Sequence, residues 1–385
     1  MEVTARAPGK IILSGEHAVV HGSTAVVASI DLYTFVSLRL STSENDCTLR
    51  LLLKDVGLEL SWDVGKIKAA LPESDGFDSS TPTTCTREFS EAISALVAEQ
   101  NIPEAKIGPA GISAFLWLYT SIRGFEPATV VVKSELPLGS GLGSSAALSV
   151  ALAAALLASL SPGSLDSSKQ GWLDFEDDKL DLLNRWAFEG EKILHGKPSG
   201  IDNTVSTYGS IIEFKSGNLT MIKSNLPLKM LITNTKVERN TKALVAGVSE
   251  RTLRHPEAMA SVFRAMDSIS TEFSMLIQSP ATDELAITEN EKKIAELMEM
   301  NQGLLQCLGV SHAVIETVLR TTLKYKLTSK LTGAGAGGCV LTLLPSLLSG
   351  TLVDKVIAEL ESCGFQCLIA GIGGKGAQVS FISTS

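Results

Sequence analysis

Apolar positions along this chain change rhythm several times, and each change marks an element. VTARAPG and KIILSGE read as two short β-type runs parted by Pro8 and Gly9. DLYTFVSLRL then alternates apolar and polar residues through Leu32, Phe35 and Leu38, with β-branched and aromatic side chains. CTLRLLL and LELSWDV extend this β-rich region, and the Ser-, Thr-, Pro- and Asp-rich stretch 71–86 predicts a surface loop. Helices are predicted at about 87–100 and 110–123, and ATVVVKSEL is a near-continuous apolar strand that ends at Pro137. After a polar loop over 161–174, DKLDLLNRWAFEGEKILHG carries apolar residues at helical spacing and stops at Gly196, with Pro198 beyond. STYGSIIEF, LTMIKS and LKMLITN read as strands. The second half predicts helices at 241–277, 284–307 and 312–323, then strand and glycine in SKLTGAGAGGCVLTLLP, a helix near 352–362 and two short strands. This order fits an α+β fold better than regular βα alternation, with a domain boundary near Asn225–Lys229.

The most apolar run, Ala146–Leu160, is 15 residues long, whereas a bilayer span needs roughly 20. A helix apolar all round is more simply one buried inside a large domain. The length, 385 residues, suits two packed domains. A net charge of −9 argues against nucleic acid or an anionic membrane as a general partner, though not against small anions met by local cations. Six cysteines are scattered; Cys363 and Cys367 form the nearest approach to a metal pattern and have no second pair, so thiols in a reducing compartment are expected rather than zinc. The start of the chain lacks the pattern of a secretory signal.

Three glycine-bearing segments invite chemistry. APGKIILSGEHAVVHG, residues 7–22, gathers Lys10, Glu16, His17 and His21; alone it reads equally as a β-hairpin with charged surface residues. PLGSGLGSSAA follows a strand and opens the apolar helix at Ser144 and Ser145. Gly139, Gly141 and Gly143 let a backbone approach a phosphate, and the helix N-terminus offers free N–H groups and a partial positive charge. No lysine follows these glycines, so the loop is not of the Walker type. In LTGAGAGGCV, Gly333, Gly335 and Gly338 have dinucleotide spacing, as do Gly371, Gly373 and Gly376. The first is followed by the β-like CVLTLLP and the second by nine residues, so neither opens a βαβ unit. Between these segments, EGEKILHGKPSGIDN sets Glu191 at a helix end and Asp202 after a glycine turn. A lone carboxylate in such a turn is more often a cap than a catalyst.

Together these segments resemble the GHMP small-molecule kinases, a family that includes galactokinase, homoserine kinase, mevalonate kinase and phosphomevalonate kinase. PLGSGLGSSAA is similar to their phosphate loop and LTGAGAGGC to their third motif. APGKIILSGEHAVVHG, WAFEGEKILHGKPSGIDNTVSTYG and ITNTKVERNTKALVAGV resemble the mevalonate-phosphorylating branch, its plant members most, whereas a galactokinase would read GEHTD where this chain has GEHAV. The resemblance runs nearly end to end. It implies an ATP-binding N-terminal domain, 1–224, a C-terminal domain, 225–385, and an active site in the cleft between them.

The resemblance also implies roles. Asp202 would accept the proton of the mevalonate 5-hydroxyl or orient that hydroxyl, and Lys10 would neutralise the transferring phosphoryl group beside it. Ser145 and Glu191 would hold Mg²⁺. Gly139, Ser140, Gly141, Leu142, Gly143, Ser144 and Ser145 would wrap the ATP phosphates, with Ser134 on the nucleotide. Glu16, His17 and Thr241 would help hold mevalonate, and Arg239 would meet its carboxylate. A homodimer and prenyl diphosphate inhibitors competing with ATP are implied too, and a cytoplasmic location is the default expectation. Lys10-Ile11 and His17-Ala18 match a loose N-terminal peroxisomal signal, but the site explains the same residues; the final STS is not the C-terminal tripeptide. Phosphomevalonate kinase and a non-catalytic ligand sensor are the alternatives. One departure is Ala336, where the third motif usually continues in glycine; at positive φ it would cost on the order of 1 kcal/mol, and its methyl would stand near bound phosphate.

Overall fold

A computed structural model describes residues 2–43, 45–72, 78–100, 102, 108–160, 171–281 and 283–382. Parts of the expected loops, 73–77 and 161–170, and the final tripeptide lie outside the described residues. The fold is α+β, as the order of elements predicts. Among the described residues, a nine-stranded sheet runs in the order Leu58–Asp63, Thr48–Leu53, Ala128–Ser134, Ala25–Leu40, Glu2–Ser14, Gln378–Ile382 and Leu173–Asp174, with the hairpin Ile211–Lys215 and Asn218–Ile222 joined to the start of Ala25–Leu40. A separate four-stranded antiparallel sheet runs Ser329–Leu331, Cys339–Leu343, Lys229–Asn234 and Gln366–Gly371. The C-terminal strand Gln378–Ile382 thus returns to pair with the N-terminal one.

The apolar run forms the helix Ser144–Leu160. It packs on the strands Glu2–Ser14 and Ala25–Leu40 and is wrapped by the helices Pro109–Arg123, Asp177–His195 and Ile201–Tyr208. Its alanines permit this close approach on every side, and Val150, Leu152 and Leu156 are buried among them. Each large apolar side chain so buried contributes about 1.5–3 kcal/mol. Among the described residues no helix is long and apolar enough to cross a membrane.

Three expectations need correction. VTARAPG and KIILSGE are one strand, Glu2–Ser14, with a register shift between Pro8 and Gly9. A proline, which lacks an N–H, is tolerated in a strand at such an irregularity. The start of STYGSIIEF is helical: Ile201–Tyr208 ends at Gly209, and only Ile211–Lys215 is strand. Burial of Val205, Ser206 and Thr207, and a bond from the Ser206 hydroxyl to the Pro8 carbonyl, override their β preference. The helix expected over 241–277 is two, Thr241–Arg254 and Pro256–Gln278. Pro256 removes a donor and holds His255 at φ −136°, outside the helical region.

Candidate active site

The strand Glu2–Ser14 carries Lys10 under the glycine loop 139–143, and the backbone of each fixes the other. The Lys10 N–H donates to the Leu142 carbonyl at 2.8 Å. Gly143 has φ +75°, and a Cβ there would stand 2.8 Å from Lys10 Cγ. Only glycine lets the loop lie this close to the lysine and still turn into the helix Ser144–Leu160. The cation that no residue of the loop supplies therefore arrives from the neighbouring strand.

Lys10 Nζ lies 3.1 Å from Asp202 Oδ1. Asp202 sits in the first turn of the helix Ile201–Tyr208, behind Gly200 in a left-handed conformation. The two side chains face a cavity of about 970 Å³ that the glycine loop, Glu16, His17, Ser145, Glu191, Arg239 and Thr241 also line. Lys10, Glu16 and His17 are buried, at 8%, 1% and 6% exposure, which removes the reading of residues 7–22 as a charged surface hairpin. His17 has φ +59° and its Nε2 donates to the Ala334 carbonyl at 2.8 Å. A carbonyl only accepts, so Nε2 carries a proton, and among the described residues Nδ1 has no hydrogen-bond partner.

Glu191 projects from the last turns of the helix Asp177–His195 with 3% of its side chain exposed. Burial, reinforced by the negative charge of Asp202, pushes its pKa up to about 7. Among the described residues its buried Oε1 has no hydrogen-bond partner. Ser145 Oγ lies 3.0 Å from His195 Nε2, which is 3.8 Å from Glu191 Oε2. A buried carboxyl whose pKa is raised by burial and by Asp202, with one oxygen uncommitted and the Ser145 hydroxyl nearby, fits a Mg²⁺ ion. One carboxylate and one hydroxyl leave the remaining positions for phosphate oxygens and water, which that ion prefers. Among the described residues no cluster of three or more His, Cys, Asp or Glu is built to hold a metal by protein ligands alone.

Arg239 enters between the two glycine motifs. Its Nη2 donates to the Ser140 carbonyl at 3.1 Å, while the buried Nη1 has no partner among the described residues. A Cβ at Gly338 would stand 2.2 Å from Nη1. Burial pulls the guanidinium pKa down from its usual value. Two loop residues serve the backbone instead of the cavity: Leu142 is fully buried, and the Ser140 hydroxyl bonds the Pro137 carbonyl. Ser134 lies apart, bonded to Thr34 Oγ1 at 2.8 Å, in a small, mainly apolar hollow of about 70 Å³ shared with Leu53, Val56, Leu136 and Ser144.

Ala336 does adopt positive φ, +53°, and its N–H bonds the Val310 carbonyl at 2.8 Å. The cavity wall here is made by Gly333 and Ala334, so the Ala336 methyl does not crowd the space where phosphate was expected. The motif runs into the strand Cys339–Leu343, as its β-like sequence predicts.

Sequence reasoning overlooked Lys197 and Lys242, which line the cavity, His195, and the buried Lys330 and Asn301 that hold Glu16. A lysine inside the buried strand SKL, next to a glycine motif, was the available signal for one of them.

Residues 112–210 match the family described as GHMP kinases N terminal domain, and residues 284–351 match GHMP kinases C terminal. A mevalonate kinase of Arabidopsis thaliana is 63% identical, over 99% of this chain and 100% of that one. The mevalonate kinase of Homo sapiens is 41% identical, over 97% and 93%. A crystal structure of L. major mevalonate kinase in complex with R-mevalonate superposes with a TM-score of 0.68 at 22% identity, covering 96% of each chain, which shows the shared fold.

Proposed function

We infer that this chain, which belongs to the mevalonate kinases within the GHMP kinases, transfers the γ-phosphoryl group of ATP to the 5-hydroxyl of mevalonate, giving 5-phosphomevalonate and ADP. The observation that carries the chemistry is the contact of Lys10 Nζ with Asp202 Oδ1 at 3.1 Å, facing the glycine loop and the N-terminus of Ser144–Leu160 across one cavity.

In this reading Asp202 takes or orients the proton of the 5-hydroxyl as its oxygen bonds to phosphorus and the bond to the ADP oxygen breaks. The transition state is loose and spreads charge over the phosphoryl oxygens, so positioning and neutralisation do most of the catalysis. Lys10 supplies that charge beside Asp202, and the amides of residues 139–145 hold the phosphates against the helix N-terminus. Ser134, in a hollow that shares Ser144 with the main cavity, is assigned to the nucleoside end of ATP. Ser145 and Glu191 would hold Mg²⁺, which when bound supplies further neutralisation of the phosphates. Glu16, His17 and Thr241 shape the mevalonate end, and the uncommitted nitrogen of Arg239 is assigned to its carboxylate. These cations act locally against a net charge of −9, since both substrates are anions.

The same reading includes Mg²⁺ as cofactor, a homodimer, inhibition by prenyl diphosphates at the ATP position, and a cytoplasmic location. It keeps the division of the chain at 224/225, with Gln378–Ile382 laid back on the first sheet.

Measuring ATP consumption with mevalonate, phosphomevalonate, galactose and homoserine tests the assignment. Turnover is expected with mevalonate; preference for another alcohol, or none for any, would overturn it. A second expectation concerns the strained alanine. Left-handed alanine costs roughly 1–2 kcal/mol, and glycine at such a position returns about that much, less 0.4–1 kcal/mol of extra freedom in the unfolded chain. Ala336→Gly should therefore leave kcat/KM equal or higher, with Tm little changed. A large loss of kcat/KM would show that alanine is required there.

A further inference from the structure

The segment that carries Glu16 and His17 is stitched to the C-terminal glycine motif. Thr332 Oγ1 accepts from the Ile12 N–H at 2.9 Å and donates to the Ile12 carbonyl at 3.0 Å, and His17 bonds Ala334. Beneath these bonds lies Lys330, on the strand Ser329–Leu331 and fully buried. Its ammonium donates to Glu16 Oε1, to the Leu331 carbonyl at 2.7 Å and to the Ile12 carbonyl at 3.4 Å. The other Glu16 oxygen accepts from Asn301 at 3.0 Å. The pair is desolvated and hydrogen-bonded throughout, and Glu16 still forms part of the cavity wall.

Stability does not account for an ion pair here, because a buried pair seldom outperforms apolar residues of the same size. Its charge balance does bear on the substrate. A carboxylate standing alone in this wall would repel an alcohol that itself carries a carboxylate, and low local dielectric would strengthen the repulsion. Burial lowers the Lys330 pKa, and the Glu16 carboxylate beside it works against that lowering.

We propose that Lys330 is a positioning residue for the alcohol substrate: it locks the Glu16 carboxylate in place and cancels its charge, so that the cavity admits a carboxylate-bearing alcohol. This rests on the mevalonate reading. Lys330 touches no substrate; it acts through Glu16 and through the backbone that presents His17.

The test compares KM for mevalonate with KM for its uncharged amide, mevalonamide, in the full-length enzyme. Lys330→Met is expected to raise KM for mevalonate about tenfold more than KM for the amide, with KM for ATP unmoved. Adding Glu16→Gln to Lys330→Met should bring the ratio of the two KM values back toward that of the wild type. A loss that falls equally on both alcohols, or on kcat alone, would mark a structural role and overturn the proposal. If Lys330→Met does not fold, Lys330→Gln carries the test: it keeps a donor for Glu16 and removes the charge, so the ratio should rise as for Met, and an unmoved ratio overturns the proposal equally. Wild-type turnover of mevalonate in the same assay keeps the two readings separate. Its absence breaks the assignment of activity, whereas its presence with unmoved ratios breaks only the role of Lys330.

Discussion

Asp202→Asn is expected to lower kcat by about 10²–10⁴-fold while ATP still binds. The amide keeps the size of the carboxylate, so the helix Ile201–Tyr208 and the glycine loop have no reason to move. What changes is chemistry: the amide cannot take a proton from the attacking hydroxyl, and Lys10, 3.1 Å away, loses its counter-charge. Removing an acid from the first turn of a helix costs typically 0.3–1 kcal/mol, too little to unfold the protein. Single-turnover rates and a nucleotide-binding titration on the purified variant separate the two effects. Near-normal turnover would remove Asp202 from the mechanism, and loss of ATP binding would make it part of the nucleotide site instead.

The second large effect is one of stability. In the ligand-free protein Glu191 gives up its proton only near pH 7, whereas the unfolded side chain does so near 4.5. Between these values the unfolded state is ionised and the folded state is still neutral. The contribution of this group to stability is therefore fully present below about pH 4.5, falls as pH rises through that window, and levels off above about 7. The gap is worth about 3 kcal/mol. Glu191→Gln carries no charge to desolvate, so its stability relative to wild type should climb between pH 5 and 8 by about that amount. Denaturant midpoints measured across this range in chelator would show it. Parallel curves for the two proteins would mean that burial does not hold Glu191 neutral. The same substitution should also weaken Mg²⁺ binding at pH 8, which joins a stability gain to a functional loss at one residue.

Much of the site was legible locally. Glycines between an apolar strand and a helix that opens on two serines suit an anion, because helix N-termini have unpaired N–H groups, though a glycine turn before a buried helix has the same local pattern. The run of alanines and leucines announced a buried helix for an equally local reason. The misreadings came where long-range contacts outweigh propensity. Pro8 sits inside one strand because the partner strand shifts register there, and the residues before Tyr208 are helical because Val205, Ser206 and Thr207 are buried. Lys330 carried only a weak signal in its apolar surroundings: a lysine in a strand reads as exposed until its partner is known, and that partner lies 314 residues away.

By itself the sequence determined most of the elements, the glycine loop that opens the apolar helix and, through its family likeness, the reaction expected of the chain. All of these rest on neighbours a few residues apart, where backbone geometry and side-chain rhythm act directly. Only the tertiary structure decided which charges meet. It placed Lys10 under a loop that has no lysine, set it against Asp202, buried Glu191 until its proton is held to about pH 7, and closed Glu16 on Lys330. Charge interactions depend on distance through space and on exclusion of water, and neither is written in the order of residues along a chain.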